Sequence, residues 1–191
     1  DEVHSEITML PDFGPQLWCQ EVRKSGGITI GARDILVAYN VNVDETDAKV
    51  AKIIGSIVRG SGRLLKSNTG QKLRVRGMIQ EIQGMGVTLE THGISQVSMN
   101  ILDVNKCPIH KAFEICHSIA QDHSTNLLGS ELVGLVPLSA MLDAGRWYCN
   151  NPNPSDDELV SSAIDGLGLS SLETFEPQQR IIEWALQRDR Q

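Results

Sequence analysis

Eight basic side chains, Lys49, Lys52, Arg59, Arg63, Lys66, Lys72, Arg74 and Arg76, fall between Ala48 and Gln80 with no carboxylate among them. Residues 151–191, by contrast, hold eight acidic side chains against three basic. A run of one sign either stays wet as a solvated face or forms a basic wall for a ligand bearing carboxylates or phosphates. The remaining chemistry is narrower. Cys107 and His110 stand three apart, ahead of Cys116 and His117, but a zinc site needs four converging ligands, or three and a water, and no second Cys-x-x-Cys or His-x-x-x-His pair completes one. A metal is not expected. Cys107, near a helix start, is a weak candidate for an activated thiol, and Cys116 reads as a small core residue. Gly84-Met85-Gly86 lacks the third glycine and following helix of a dinucleotide fingerprint, and marks a bulge or a place where another backbone or a ligand comes close. Pro11-Asp12-Phe13-Gly14-Pro15, running on to Ser25-Gly26-Gly27, is a rigid, turn-rich stretch that serves either as a linker or as an ordered substrate-binding loop.

The elements that must position these groups follow from periodicity. Ile28–Val43 ends in alternation, with Val37, Tyr39, Val41 and Val43 on one face and Asn40 and Asn42 on the other, which predicts a half-buried strand. Asp44 can cap a helix whose Val50, Ile53, Ile54, Ile57 and Val58 form one apolar stripe. Residues 59–77, broken by Gly60, Gly62, Gly70 and Gly77, read as a loop. Met78–Glu90 and Ile94–Val104 predict two strands joined at Thr91-His92-Gly93, the second alternating Val97, Met99 and Ile101 with Ser98 and Asn100. Pro108 opens a helix striped by Ile109, Ala112, Phe113, Cys116, Ile119 and Ala120. A short strand, Glu131–Val136, follows a turn at Gly129. The tail is helical, with a Ser155–Glu158 capping box and a last helix opened by Pro177. The order strand, helix, strand, strand, helix, strand predicts an α+β fold of the ferredoxin-like, split βαβ type: a four-stranded antiparallel sheet with two helices on one face, followed by C-terminal helices. The domain divisions expected are 1–27, 28–137 and 138–191.

Composition bounds the classes. A length of 191 residues suits one domain with an appendage, able to bury roughly 70% of its unfolded surface. A net charge of -7 argues against general nucleic-acid binding, and 40% hydrophobic residues argue against wholesale disorder. No apolar run approaches the roughly 18 residues of a membrane span. The chain starts Asp1-Glu2-Val3-His4 without an initiator Met or a secretory signal, so the expectation is a processed or partial chain from a reducing, cytoplasmic setting, in keeping with four sparse cysteines.

Six ordered blocks carry a family resemblance. They are Pro11–Pro15; Gly31-Ala32-Arg33 with Ala38–Asn42; Ile82–Gly86; Gln96–Asp103; Gly129–Pro137; and Arg180–Glu183. In these the chain resembles, from Pro11 to about Leu186, the C-terminal subdomain of the formiminotransferase domain found in glutamate formimidoyltransferases and in bifunctional formimidoyltransferase-cyclodeaminases. The resemblance implies transfer of the formimino group of N-formimino-L-glutamate to tetrahydrofolate, a step of histidine breakdown. It implies tetrahydrofolate as co-substrate without a metal, and a cleft enclosed by two similar subdomains. The folate-contacting segment would run from Gly14 and Pro15 through Gln16, Leu17 and Trp18 to Gly26 and Gly27. Arg63, Lys66, Lys72 and Arg74 would meet ligand carboxylates. The family's catalytic histidine belongs to the N-terminal subdomain, the expected partner, and matches no position here, so no catalytic residue is assigned. A catalytically inert folate-binding or interaction module of the same family is the alternative, and either is compatible with a homo-oligomer that contacts neither nucleic acid nor membrane.

Overall fold

The computed structural model describes residues 11–17, 19–32 and 34–188. The chain divides into two compact units, residues 1–33 and 34–191. In the first, α1 (Gln20–Ser25) begins after Cys19 and ends at Gly26, whose φ of 71° suits glycine; no residue of this helix is buried. A six-residue helix thus stands where the sequence suggested a loop throughout. Trp18 and Arg33 lie outside the described residues.

The second unit holds β1 (Val37–Val43), α2 (Lys49–Val58), β2 (Arg63–Lys66), β3 (Lys72–Val75), β4 (Ile82–Leu89), β5 (Ile94–Ile101), α3 (Ile109–Asp122), β6 (Leu127–Val133), α4 (Leu138–Tyr148), α5 (Asp156–Leu167), α6 (Pro177–Arg180) and α7 (Ile182–Arg188). The main sheet has the order β4-β5-β1-β6, antiparallel throughout. With α2 and α3 inserted between β1 and β4 and between β5 and β6, this is the expected split βαβ arrangement. Alternation on β1 and β5 does the work: Val37, Tyr39, Val41, Val97, Met99 and Ile101 are all at most 2% exposed and meet Ile54, Val58, Ile109, Ala112 and Cys116 from the two helices.

The structure differs from the expectations at several places. The β1 strand starts at Val37, so Ile28–Leu36 is not part of it. Helix α2 starts at Lys49, and the carboxylate at its N-terminus is Asp47, which accepts from the Lys49 amide at 3.0 Å, rather than Asp44. Its buried face holds Ile54 and Val58 of the expected stripe together with Ala51 and Gly55, while Val50, Ile53 and Ile57 are half-buried. The reason lies in β4. A Cβ on Gly86 would lie 2.1 Å from the Lys52 nitrogen, and one on Gly55 3.0 Å from the Met85 carbonyl carbon. Helix and strand touch backbone to backbone, which large side chains would prevent, so the Gly84–Gly86 signal marks the close approach of another backbone.

Residues 59–77 are not a plain loop: β2 and β3 pair as a two-stranded sheet of their own, turning at residues 67–71. The β6 strand runs from Leu127, upstream of the predicted start, because Gly129, at φ 131°, sits inside the strand at a register irregularity instead of ending it. Beyond β6, the tail is tied back to the sheet. The Ser130 hydroxyl donates to the Leu167 carbonyl at 2.7 Å and the Ser130 amide to the Gly168 carbonyl at 3.1 Å. Val136 pairs with Ile181, both fully buried, and the Glu183 carboxylate accepts from the Leu138 amide at 2.7 Å, capping α4 from 45 residues away. The Ser155–Glu158 capping box forms as predicted.

Candidate functional site

Four of the recognisable blocks map onto adjacent strands. Residues directly opposite each other across a ladder share a face, so the registers Asn40↔Ser98, Asn42↔Gln96, Asn40↔Glu131, Ala38↔Asn100 and Gln83↔Asn100 gather seven polar side chains on one face of the sheet. They are Asn40, Asn42, Gln83, Gln96, Ser98, Asn100 and Glu131, and the face is the one opposite α2 and α3. Met85 and Val133, 57% and 50% exposed, add apolar surface on the two outer strands. The polar groups are linked. Gln96 Nε2 donates to Asn42 Oδ1 at 2.7 Å and to Glu131 Oε2 at 3.2 Å, Asn40 Nδ2 donates to the same Glu131 oxygen at 3.4 Å, and Asn42 Nδ2 donates to Ser171 Oγ at 3.2 Å.

Such a face suits contact with a polar ligand. Asn42 and Gln96 are buried and brace the face from within, and the groups turned to a ligand are Asn40, Gln83, Ser98, Asn100 and Glu131 on rigid strands. The face offers little for proton transfer: Glu131 is the only charged side chain in the four strands, and the described histidines lie elsewhere, His110 and His117 on α3, His123 at its end, and His92 in the single 3₁₀ turn Glu90–His92 between β4 and β5.

The predicted contact residues fall in separate places. Gly14, Pro15, Gln16, Leu17, Gly26 and Gly27 belong to the first unit, where Gly14 has a φ of 92°. Arg63, Lys66, Lys72 and Arg74 all stand on the β2–β3 hairpin of the second. The pairings Leu64↔Arg74 and Lys66↔Lys72 put three cations on one hairpin face, while Arg63, Leu65, Leu73 and Val75 share the other. Arg74 is anchored by a 3.1 Å bond from its guanidinium to the Ser61 carbonyl.

The thiol hypothesis does not survive. Burial pushes the Cys107 pKa up to about 11 and that of Cys116 up to about 12, so both stay protonated near neutrality. Among the described residues, no group of three or more His, Cys, Asp or Glu side chains could hold a metal ion. A cleft of about 670 Å³ does open over α3, between Met78, Pro108, Ile115 and Trp147, where His110 stacks on Trp147 at 5.3 Å. It lies on the helical side of the sheet, away from the polar face. Near it, burial raises the Tyr39 hydroxyl far above its ordinary pKa, a trend the neighbouring Ser130 hydroxyl opposes. That hydroxyl is committed to Leu167, and Tyr39 Oη is left without a hydrogen-bond partner among the described residues.

The model of the formiminotransferase domain matches residues 38–187, from the second residue of β1 to the last turn of α7. The chain belongs to the formiminotransferase domain family. Among its relatives, the formimidoyltransferase-cyclodeaminase of Mus musculus is 34% identical over 92% of this chain and 31% of its own length. That of Dictyostelium discoideum is 36% identical over 99% of the chain and 34% of its own length. The glutamate formimidoyltransferase of Streptococcus pyogenes is 34% identical over 72% of the chain and 42% of its own length. The chain therefore spans about a third of the bifunctional proteins it matches. The sequence shows Asn40, Asn42, Ser98 and Asn100 by alternation but not Glu131 as their neighbour, since its bonds to Gln96 and Asn40 bridge 35 and 91 residues.

Proposed function

We propose that the chain supplies one wall of the folate cleft of a formimidoyltransferase, which moves the formimino group of N-formimino-L-glutamate to tetrahydrofolate in histidine degradation in the cytoplasm. The observation that carries the proposal is the face formed by Asn40, Asn42, Gln83, Gln96, Ser98, Asn100 and Glu131, drawn from four of the blocks that carry the family resemblance. The names of the relatives support the chemistry. Transfer requires two substrates to be held together and a proton to be moved from the attacking amine. Orientation of a well-positioned pair accounts for about 7–11 kcal/mol of such a barrier, and rigid strands are the right platform for that part. The proton-transferring base comes from the partner N-terminal subdomain, in keeping with the lack of a histidine on this face among the described residues.

In this reading the Gly14–Gly27 segment holds folate, and the three cations on one hairpin face, Lys66, Lys72 and Arg74, meet ligand carboxylates through charge-assisted hydrogen bonds, whereas Arg63 stands on the other face. The test is calorimetry of folinic acid with the chain joined to its complementary half. Replacing Gly14-Pro15 with Val-Ala is expected to weaken binding by about tenfold, roughly 1.4 kcal/mol, because valine does not tolerate the φ of 92° at Gly14. Unchanged affinity sinks the loop assignment. A non-catalytic folate-binding module is favoured if folinic acid binds but the joined protein forms no 5-formiminotetrahydrofolate.

A further inference from the structure

We propose that Glu131 receives the cationic formimino group of the donor and thereby selects formimino over formyl donors; this rests on reading the polar strand face as the substrate wall. An N-substituted formamidine is protonated at neutral pH. It is a planar cation with N–H donors on both nitrogens, a shape that a carboxylate meets with two parallel hydrogen bonds. The sheet provides one such carboxylate. Glu131 is the only charged side chain of the four strands, and it projects onto the polar face opposite Asn40.

Its setting is organised for a partner. Oε2 accepts from Asn40 at 3.4 Å and from Gln96 at 3.2 Å, while Gln96 is itself fixed by its 2.7 Å bond to Asn42 Oδ1. Oε1 has no hydrogen bond to any described residue. The carboxylate is thus held by one oxygen and open at the other, on a half-buried position of β6. A carboxylate that has lost part of its hydration is costly while uncompensated, and a cation at the open oxygen offsets that cost.

In the transfer, the acceptor amine nitrogen bonds to the formimino carbon and the bond from that carbon to the glutamate nitrogen breaks. The acceptor loses one proton, the departing amine gains one, and nothing is oxidised or reduced. Glu131 enters none of these bond changes. It holds the amidine in its protonated, more electrophilic form. A formyl donor would turn a neutral carbonyl oxygen toward the same carboxylate and meet repulsion, which is the basis of the selection.

Two measurements test this. The first titrates formamidinium chloride, and separately formamide, into the chain while following the side-chain amide signals of Asn40 and Gln96 by NMR. Formamidinium is expected to shift both signals, formamide to leave them in place, and Glu131→Gln to abolish the response while backbone signals of β1 and β5 persist. The second uses the chain joined to its complementary half. There Glu131→Gln is expected to raise KM for N-formimino-L-glutamate by about tenfold to a hundredfold, with Glu131→Asp intermediate. Signals unmoved by formamidinium, or an unchanged KM in both variants, overturn the proposal. Turnover with an unchanged KM leaves the transferase reading standing, whereas an amidinium response in a joined protein without turnover overturns that reading and keeps the amidine site.

Discussion

His110 stacks on Trp147 with an interplanar angle of 16°, and its Nδ1 is buried without a hydrogen-bond partner among the described residues. Desolvation lowers its pKa below the ordinary value of 6.5, outweighing the opposing pull of Asp143 and Glu114. The consequence for stability has a definite sign. Above about 6.5 the imidazole is neutral in both states, and its contribution is fully retained. As pH falls below that value the unfolded chain takes up a proton that the folded chain resists, so stability declines until the folded pKa is passed. Urea denaturation at a series of pH values should show His110→Gln losing less stability than the parent chain between pH 7 and 5. Parallel profiles would contradict it. The site is legible to a comparable degree from single residues. Asn40, Asn42, Ser98 and Asn100 announce a polar face by alternation, but neither the clamp on Glu131 nor the orphaned nitrogen of His110 is a property of any local pattern, because each depends on which strand or helix lies next door.

At the scale of elements, period was informative and contact distance was not. Strand β5 and helix α3 lie close to their expected bounds because their apolar residues recur at 2 or 3.6 positions with little interruption, whereas the alternation of β1 locates only its Val37–Val43 part. The β2–β3 hairpin escaped notice because Leu64, Leu65, Leu73 and Val75 are all exposed by a third or more. A two-stranded sheet with both faces wet carries no core-facing alternation to detect, and its glycines look like loop punctuation. The α2–β4 contact was half legible. The apolar stripe located the helix, but the controlling residues are Gly55 and Gly86, which periodicity counts as gaps. Gly86→Ala would set a Cβ 2.1 Å from the Lys52 nitrogen, forcing helix and strand apart at about 1–3 kcal/mol or more, as for other overpacked cores. Gly84→Ala, whose Cβ meets its nearest atom, Met99 Cγ, at 3.4 Å, should cost far less. Thermal denaturation of the two variants separates them; equal melting temperatures would contradict the backbone-contact account.

At the scale of the whole molecule, the unit from residue 34 onward carries both the buried core and the polar strand face. Its buried core closes around a single sheet, and residues 167–171 and 180–182 tie the helical tail to β1, β6 and the segment that follows β6. One face of that sheet is left polar, linked by amides and bordered by exposed Met85 and Val133, while about two thirds of the length of the bifunctional relatives lies outside the matched part. The net charge of -7 conceals this arrangement, since the basic hairpin and the acidic tail offset one another in the sum. The direct test is the rate of 5-formiminotetrahydrofolate formation from N-formimino-L-glutamate and tetrahydrofolate, measured on this chain alone and on the chain joined to its complementary half. The account predicts turnover in the joined protein, none in the chain alone, and a loss of turnover when Asn40, Gln96 and Glu131 are replaced together. Undiminished turnover in that triple variant would contradict it.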